Sequence, residues 1–303
     1  MAALERFFFE PLRFRGVFLM RAAFGAIALY YYLRLLPHVQ ALFGPAGLGG
    51  RDTAQRWPTF LMPVTEDLEH FALLRHVGSP WLVTLLYALL LLAAAAFMLG
   101  LRARWAGLLL LLLHLLFGSH QPGFDGWVRL FGPFLAYLLL TPCGAAWSLD
   151  AWLAARRHGP REPALFAAWP LRLLQVHVIA MYAIAGWPRL TAEAWLHGET
   201  VLYAVADTRF GRWDIDYFAM SSVLALLTWL AFVLEPAATL LLPLRATRRW
   251  CALALMGLHL GIEVLADTGM WQFMMCAALL AFLPDRWFAR VPGLRLAGDE
   301  RVG

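Results

Sequence analysis

Long apolar stretches alternate with short polar breaks along this chain, at residues 17–37, 80–100, 105–118, 124–141, 168–187, 220–244, 250–266 and 270–284. Several match the ~20 residues that a helix needs to cross a bilayer. The stretches at 105–118 and 250–266 are short, so they are expected to tilt differently or to cross incompletely. Trp147 to Arg157 sets Trp147, Leu149, Trp152 and Leu153 against Asp150, Arg156 and Arg157, the pattern of a helix lying in the membrane interface. A long loop with Arg51, Asp52, Glu66, Asp67 and Glu69 follows the first stretch, and a polar-aromatic loop reaching Tyr217 follows the fifth. The pattern predicts an all-α integral membrane protein, a bundle of about eight transmembrane helices with interfacial amphipathic helices. With no internal repeat or linker, residues 1–303 read as a single domain.

Composition agrees. The chain is 61% hydrophobic and 15% charged, where a soluble domain is about half apolar and about a quarter charged. Fourteen Trp and 21 Phe suit interfacial belts. All 25 basic residues are arginine, which excludes chemistry that needs a lysine base or Schiff base. Fifteen arginines fall in segments expected on one side of the membrane, and six (Arg51, Arg56, Arg75, Arg189, Arg209, Arg212) on the other. That asymmetry predicts both termini in the cytoplasm. It also accounts for the basic balance, so nucleic acid is not an expected partner. Cys143, Cys251 and Cys276 are isolated, with neither CxxC nor zinc spacing. The start, MAALERFFFEPLRFRG, holds Glu5 and Glu10 among its arginines and no small-residue cleavage site, so the first span is expected to act as its own insertion signal.

Candidate chemistry concentrates in Leu171 to Tyr203. An apolar helix carries Gln175, His177 and Tyr182, breaks at Gly186-Trp187-Pro188, and places Arg189 where it ends. An amphipathic segment with Trp195, His197 and Glu199 follows. Counting ~1.5 Å per residue puts His114, His177 and His259 near mid-bilayer, ~15 Å from the inner face. Glu263 and Asp267 follow His259 at successive turns. Arg129 lies near the outer end of the fourth span, with Asp125 and His120 above it. Ionisable groups in lipid are costly, so they are expected to face one another across the bundle, with Arg129 or Arg189 as the natural partner of Glu263. The bland readings stay open. A lone membrane histidine can tie two helices together, Arg21, Arg34 and Arg172 can snorkel, and Glu235 can bond backbone freed by Pro236. The three histidines form no HxxxH or HxxHH pair, so no metal is expected.

The stretch LLQVHVIAMYAIAGWPRLTAEAWLHGETVLY resembles the signature of the HTTM family, the transmembrane domain of vitamin K-dependent γ-carboxylase and its bacterial relatives. FRGVFLMRAAFGAIALYYYL, DGWVRLFGPFLAYLLLTPCGAAWSLD and EPAATLLLPLRATRRWCALALMGLHLGIEVLADTGMWQFMMCAALLAFLP fit the same family in the same order. The resemblance implies a helical membrane domain whose site opens to the extracytoplasmic side, and a quinone, such as a vitamin K-like hydroquinone, as cofactor. The family's lysine, which acts as or generates the strong base, falls in the segment matched by Ala185-Gly186-Trp187-Pro188-Arg189-Leu190, where this chain has Arg189. The resemblance sets the family's histidine near the start of the fourth span at Trp127, with His120 close by in the sequence. Guanidinium stays protonated above pH ~12, so Arg189 serves as an anion clamp rather than a base.

The leading expectation is a lyase-like enzyme of the bacterial cytoplasmic (inner) membrane, acting on a quinone-like or other lipid-soluble substrate without glutamate carboxylation. Arg189, His177, His259 and Glu263 would be catalytic; Gln175, Tyr182, Trp187, Trp195, Asp125, Arg129 and His114 would bind substrate. A desolvated histidine–carboxylate pair suits acid–base work near neutral pH. Two other classes stand beside it. One is an accessory factor that works with partner proteins on a secreted peptide. The other is a transporter, for which mid-membrane charge is suited. Membrane lipids are partners in all three.

Overall fold

Helix occupies every apolar stretch in the computed structural model, which describes residues 2–48, 73–118, 126–159, 165–214, 216–291 and 294. Asp125, His120 and the loop residues Arg51, Asp52, Glu66, Asp67 and Glu69 lie outside the described residues. In chain order the elements are α1 (Ala2–Phe9), β1 (Pro11–Leu12), α2 (Gly16–Leu35), α3 (Val39–Phe43), α4 (Pro80–Leu99), α5 (Ala103–Gly118), α6 (Gly126–Leu139) and α7 (Leu149–His158). There follow β2 (Phe166–Ala167), α8 (Trp169–Gly186), α9 (Glu193–Leu196), α10 (Thr200–Ala206), α11 (Tyr217–Leu241), α12 (Arg248–Leu265), α13 (Trp271–Leu279) and α14 (Asp285–Phe288).

Among the described residues, three helical stretches, Gly16–Phe43, Pro80–Leu99 and Tyr217–Leu241, are long and apolar enough to cross a membrane. Ala103–Gly118, Gly126–Leu139 and Trp271–Phe282 are shorter and apolar. Helices α8 and α12 run 18 residues each, but they interrupt their apolar faces with Gln175, His177, Tyr182, His259 and Glu263. Polar groups are not confined to these two helices, since Arg21 lies on α2 and Glu235 on α11. Local chemistry sets the ends. Ser79 caps α4 and Pro80 starts it, while Gly100, at φ 72°, closes it in the left-handed conformation. The Asp216 carboxylate accepts from the Phe218 and Ala219 amides at the head of α11. Ser148 caps α7, the interfacial helix anticipated at Trp147–Arg157.

The chain divides into two compact units, residues 17–164 and residues 1–16 joined with 165–303. In the 17–164 unit, α2 crosses α4 so closely that a Cβ on Gly25 would lie 2.5 Å from Met98 Cα. Small residues permit such approach between apolar helices. Arg21 does not snorkel as its place near a span end suggests: it is 1% exposed. Its guanidinium donates to the Phe97 carbonyl at 2.6 Å, to Met98, to Cys143 at 3.2 Å and to Trp147 at 2.6 Å. The reason is the orphaned carbonyls at the end of α4, which attract a cation as both hydrogen-bond and dipole partner. Arg34 is exposed, stretched towards the Tyr30 ring.

In the other unit, β1 pairs antiparallel with β2, Pro11 opposite Ala167 and Leu12 opposite Phe166. Arg15 binds Asp285 through its side chain and, at 2.6 Å, through its amide. Helices α8, α11, α12 and α13 form the bundle. Pro188 lacks an amide donor and ends α8, leaving the Trp187–Thr191 stretch as a 3₁₀ turn. The end of α8 abuts α11: a Cβ on Gly186 would lie 2.8 Å from Pro236 N and 3.0 Å from Glu235 C. The chain then returns along α11 in short pieces. Trp187 Nε1 donates to Thr239 Oγ1 at 3.3 Å, Trp229 Nε1 to the Leu196 carbonyl at 3.2 Å, the Val201 amide to Thr228 Oγ1 at 3.1 Å, and Tyr217 Oη to the Val205 carbonyl at 3.4 Å. These side-chain bonds tie the broken segment to α11.

Candidate active site

The break in α8 organises the site from its backbone outward. Gly186 admits α11 at Glu235–Pro236, and three residues on, Arg189 forms an ion pair with Glu235. Glu235 is 6% exposed, so its charge requires that partner. Arg189 also stacks over Trp195, 4.2 Å from the ring centroid. Its Nη1, the nitrogen that meets Glu235, is buried. Arg189 and Glu235 therefore meet, although counting residues from the span ends sets one at the outer mouth and the other in the inner half. Counting fails because α8 stops opposite the C-terminal part of α11. The bland reading of Glu235, a bond to kink-freed backbone, gives way to this ion pair.

One turn before Gly186, Tyr182 is buried and its Oη lies 2.7 Å from His259 Nε2 on α12. His259 Nδ1 faces Gln272 Oε1 on α13 at 2.5 Å, and Gln272 Nε2 donates to Thr268 Oγ1 at 2.9 Å. Gln272 spends its amide donor on Thr268, so its oxygen takes the Nδ1 proton. That leaves Nε2 as the acceptor for the tyrosine hydroxyl. Glu235 lies within electrostatic reach of Tyr182, as does Arg189 of His259. Four elements, α8, α11, α12 and α13, thus contribute to one buried polar line. A larger side chain at Gly186 would collide with α11 backbone. Gly186→Val is expected to lower the thermal midpoint in detergent by several degrees, as overpacking costs about 1–3 kcal/mol; an unchanged midpoint would contradict the close contact.

The remaining expected residues scatter. Glu263 pairs with Arg212, which also reaches Asp267 at 3.7 Å; neither Arg129 nor Arg189 is its partner. The reason is the loop before α11, stitched to the end of α12 by Trp213 Nε1 on the Val264 carbonyl at 2.6 Å and by the Asp267 amide on Phe210 O at 2.6 Å. Glu263 and His259 share a side of α12 yet bind different partners. In the same loop, Arg209 holds the Asp207 carboxyl down to about 2.

Gln175 donates to the Ala281 carbonyl at 2.6 Å and accepts from Arg172 at 2.8 Å, apart from Tyr182. His177 is half-buried and lies off the buried stripe Gln175, Val178, Tyr182, Gly186. Trp187 is exposed and docks on Thr239. His114 and Arg129 belong to the 17–164 unit. There His114 is buried, with Nδ1 2.8 Å from Tyr32 Oη and Nε2 2.8 Å from the Val128 carbonyl. Both of its nitrogens are engaged, as in the helix-tying reading. Trp127 is fully buried beside it and beside Tyr31. Arg129 is exposed on α6.

Sequence reasoning passed over Gln272, the lone amide in WQFMMCAALLAF, and its position there is the signal that would have found it. Among the described residues, no three His, Cys, Asp or Glu side chains are grouped so as to hold a metal ion.

Apolar helices of membrane-crossing length, with ionisable pairs buried between them, define a helical membrane protein. Residues 51–287 match the HTTM domain, and the chain belongs to the HTTM family. No solved structure matches it.

Proposed function

We propose that this chain is a multi-pass enzyme of the bacterial cytoplasmic membrane, related to the vitamin K-dependent carboxylases, that moves protons on a quinone-like or other lipid-soluble substrate. In this reading it crosses the bilayer eight times with both termini in the cytoplasm, and the substrate enters from the extracytoplasmic side. The single observation that carries the reading is the Tyr182–His259–Gln272 line beside Arg189.

A substrate hydroxyl next to Tyr182 would give its proton to the phenolic oxygen as Tyr182 passes its own to His259 Nε2. The products are a substrate oxyanion and an imidazolium whose Nδ1–H stays on Gln272. Arg189 would hold the oxyanion by sharing its guanidinium between Glu235 and the substrate. Protonation of a substrate oxyanion runs the same path in reverse. Glu235 keeps the resting site neutral by balancing Arg189. Arg189 replaces the family's lysine and cannot act as a strong base, so the reading excludes glutamate carboxylation by that route.

The test is retention and conversion of deuterium-labelled quinones and hydroquinones by the purified protein, followed by mass spectrometry of the extract. Wild type is expected to retain and convert one labelled class, Arg189→Ala to lose it, and Tyr182→Phe to retain it unconverted. Protein that stays empty after incubation with quinones and whole lipid extract would overturn the reading.

A further inference from the structure

The proton line leaves a second concentration of charge without a role. Two adjoining cavities, of about 390 and 470 Å³, open where α8 and α12 begin, and they share Leu12, Arg172 and Arg245. Arg248 and Arg249 extend the basic wall of the first. The carboxylate in that wall, Asp285, is taken by Arg15. Glu10 faces Arg6, Arg172 and Arg245 across the second. Arg172, Arg245 and Arg248 stand close enough to repel one another.

Apart from Glu10 beside Arg172, no carboxylate offsets these arginines among the described residues. Arg172 donates to the Phe7 carbonyl at 3.3 Å and to Gln175 Oε1 at 2.8 Å. Arg248 donates to the Leu242 and Pro243 carbonyls at 2.9 and 3.0 Å. Every one of those acceptors is uncharged. Arg249 Nε is buried with no acceptor aligned to it. Helices α8 and α12 each begin here with no acid in the first turn, and with Arg172, Arg248 and Arg249 in the positions that the helix dipole makes unfavourable for cations. An anion in the cavity would offset both the dipoles and the mutual repulsion. Membrane orientation accounts for many arginines on one side, but not for their gathering around a hollow within the ~300–1,000 Å³ of small-ligand sites.

We propose that this cavity binds a phosphate group, carried by an anionic phospholipid or free in solution. Arg245 and Arg249 supply the open donors, and Arg172 and Arg248, fixed by neutral acceptors, supply the preorganised field.

The experiment is native mass spectrometry of the full-length protein in detergent, titrated with phosphatidylglycerol or phosphatidylcholine, beside thermal unfolding with added inorganic phosphate. Arg245→Gln/Arg249→Gln is compared with wild type and with Arg104→Gln, an exposed arginine outside these cavities. Unfolding midpoints without ligand establish that each variant folds. Preferential binding of phosphatidylglycerol, weakened at least about tenfold in the double variant and unchanged in Arg104→Gln, supports a lipid phosphate. Protection by inorganic phosphate alone, lost in the same variant, supports the free anion. Absence of both, or binding to the folded double variant that equals wild type, overturns the proposal.

Discussion

Arg189→Met is expected to lower the unfolding free energy by about 3 kcal/mol, and adding Glu235→Met to recover most of that loss. Removing one partner of a buried ion pair leaves the other charge stranded, which costs about 3–5 kcal/mol. The low end applies because Arg189 is 23% exposed and part of the pair reaches a wetter environment. The double variant strands nothing and replaces both side chains by flexible apolar ones of similar length, an exchange that is often neutral. Glu235→Met alone is expected to cost less than Arg189→Met, since the guanidinium left behind keeps its stack on Trp195. Guanidinium-free unfolding in detergent, for instance by sodium dodecyl sulfate titration, gives the four corners of the cycle. A loss in the double variant equal to the sum of the two single losses would mean that the contact between the two charges contributes nothing.

Arg21→Ala is expected to be at least as damaging, with a loss above about 4 kcal/mol and poor recovery of folded protein. Four carbonyl oxygens from the end of α4 and the turn before α7 converge on this guanidinium. Hydrogen bonds to a charged group contribute about 1.5–3 kcal/mol each, and truncation also opens a hole the size of the side chain. Gly100 stands against the guanidinium: a Cβ there would fall 2.9 Å from Arg21 Nη1, so the backbone has already been cleared for it. Arg21→Lys keeps the charge but loses the planar fork, and is expected to fall between wild type and Ala. Size-exclusion thermostability of the two variants decides the matter; an Arg21→Ala protein as stable as wild type would show that water satisfies those carbonyls equally well.

Much of the architecture was legible because lipid imposes a simple rule on sequence. Spans at 168–187 and 80–100 end in helices at 169–186 and 80–99, since a run of apolar residues closed by Pro188 or Gly100 has few alternatives. The break at Gly186-Trp187-Pro188 could be read in the same way, and with it the importance of Arg189. Partnerships between helices could not. They depend on how far each helix slides and rotates, and periodicity within one helix is silent on both. Hence Glu263 went to Arg212 on a loop, and Glu235 proved to be the counter-ion of Arg189. Arg21 sits near a span end and looked like a snorkelling side chain, because the carbonyls that hold it are residues 97, 98, 143 and 147. His259 was picked out correctly as buried and polar, but its two partners, Tyr182 and Gln272, lie 77 and 13 residues away along the chain. No spacing rule links them.

Electron cryo-microscopy of the protein in nanodiscs made from native lipid addresses the central claim directly, at Tyr182 and Arg189. The account expects density for a bound molecule with a polar head within hydrogen-bonding distance of the Tyr182 hydroxyl and an Arg189 nitrogen, with an apolar tail running towards lipid. A map in which Tyr182 and Arg189 are walled off from each other by packed side chains, leaving no room for a substrate oxygen between them, would contradict it.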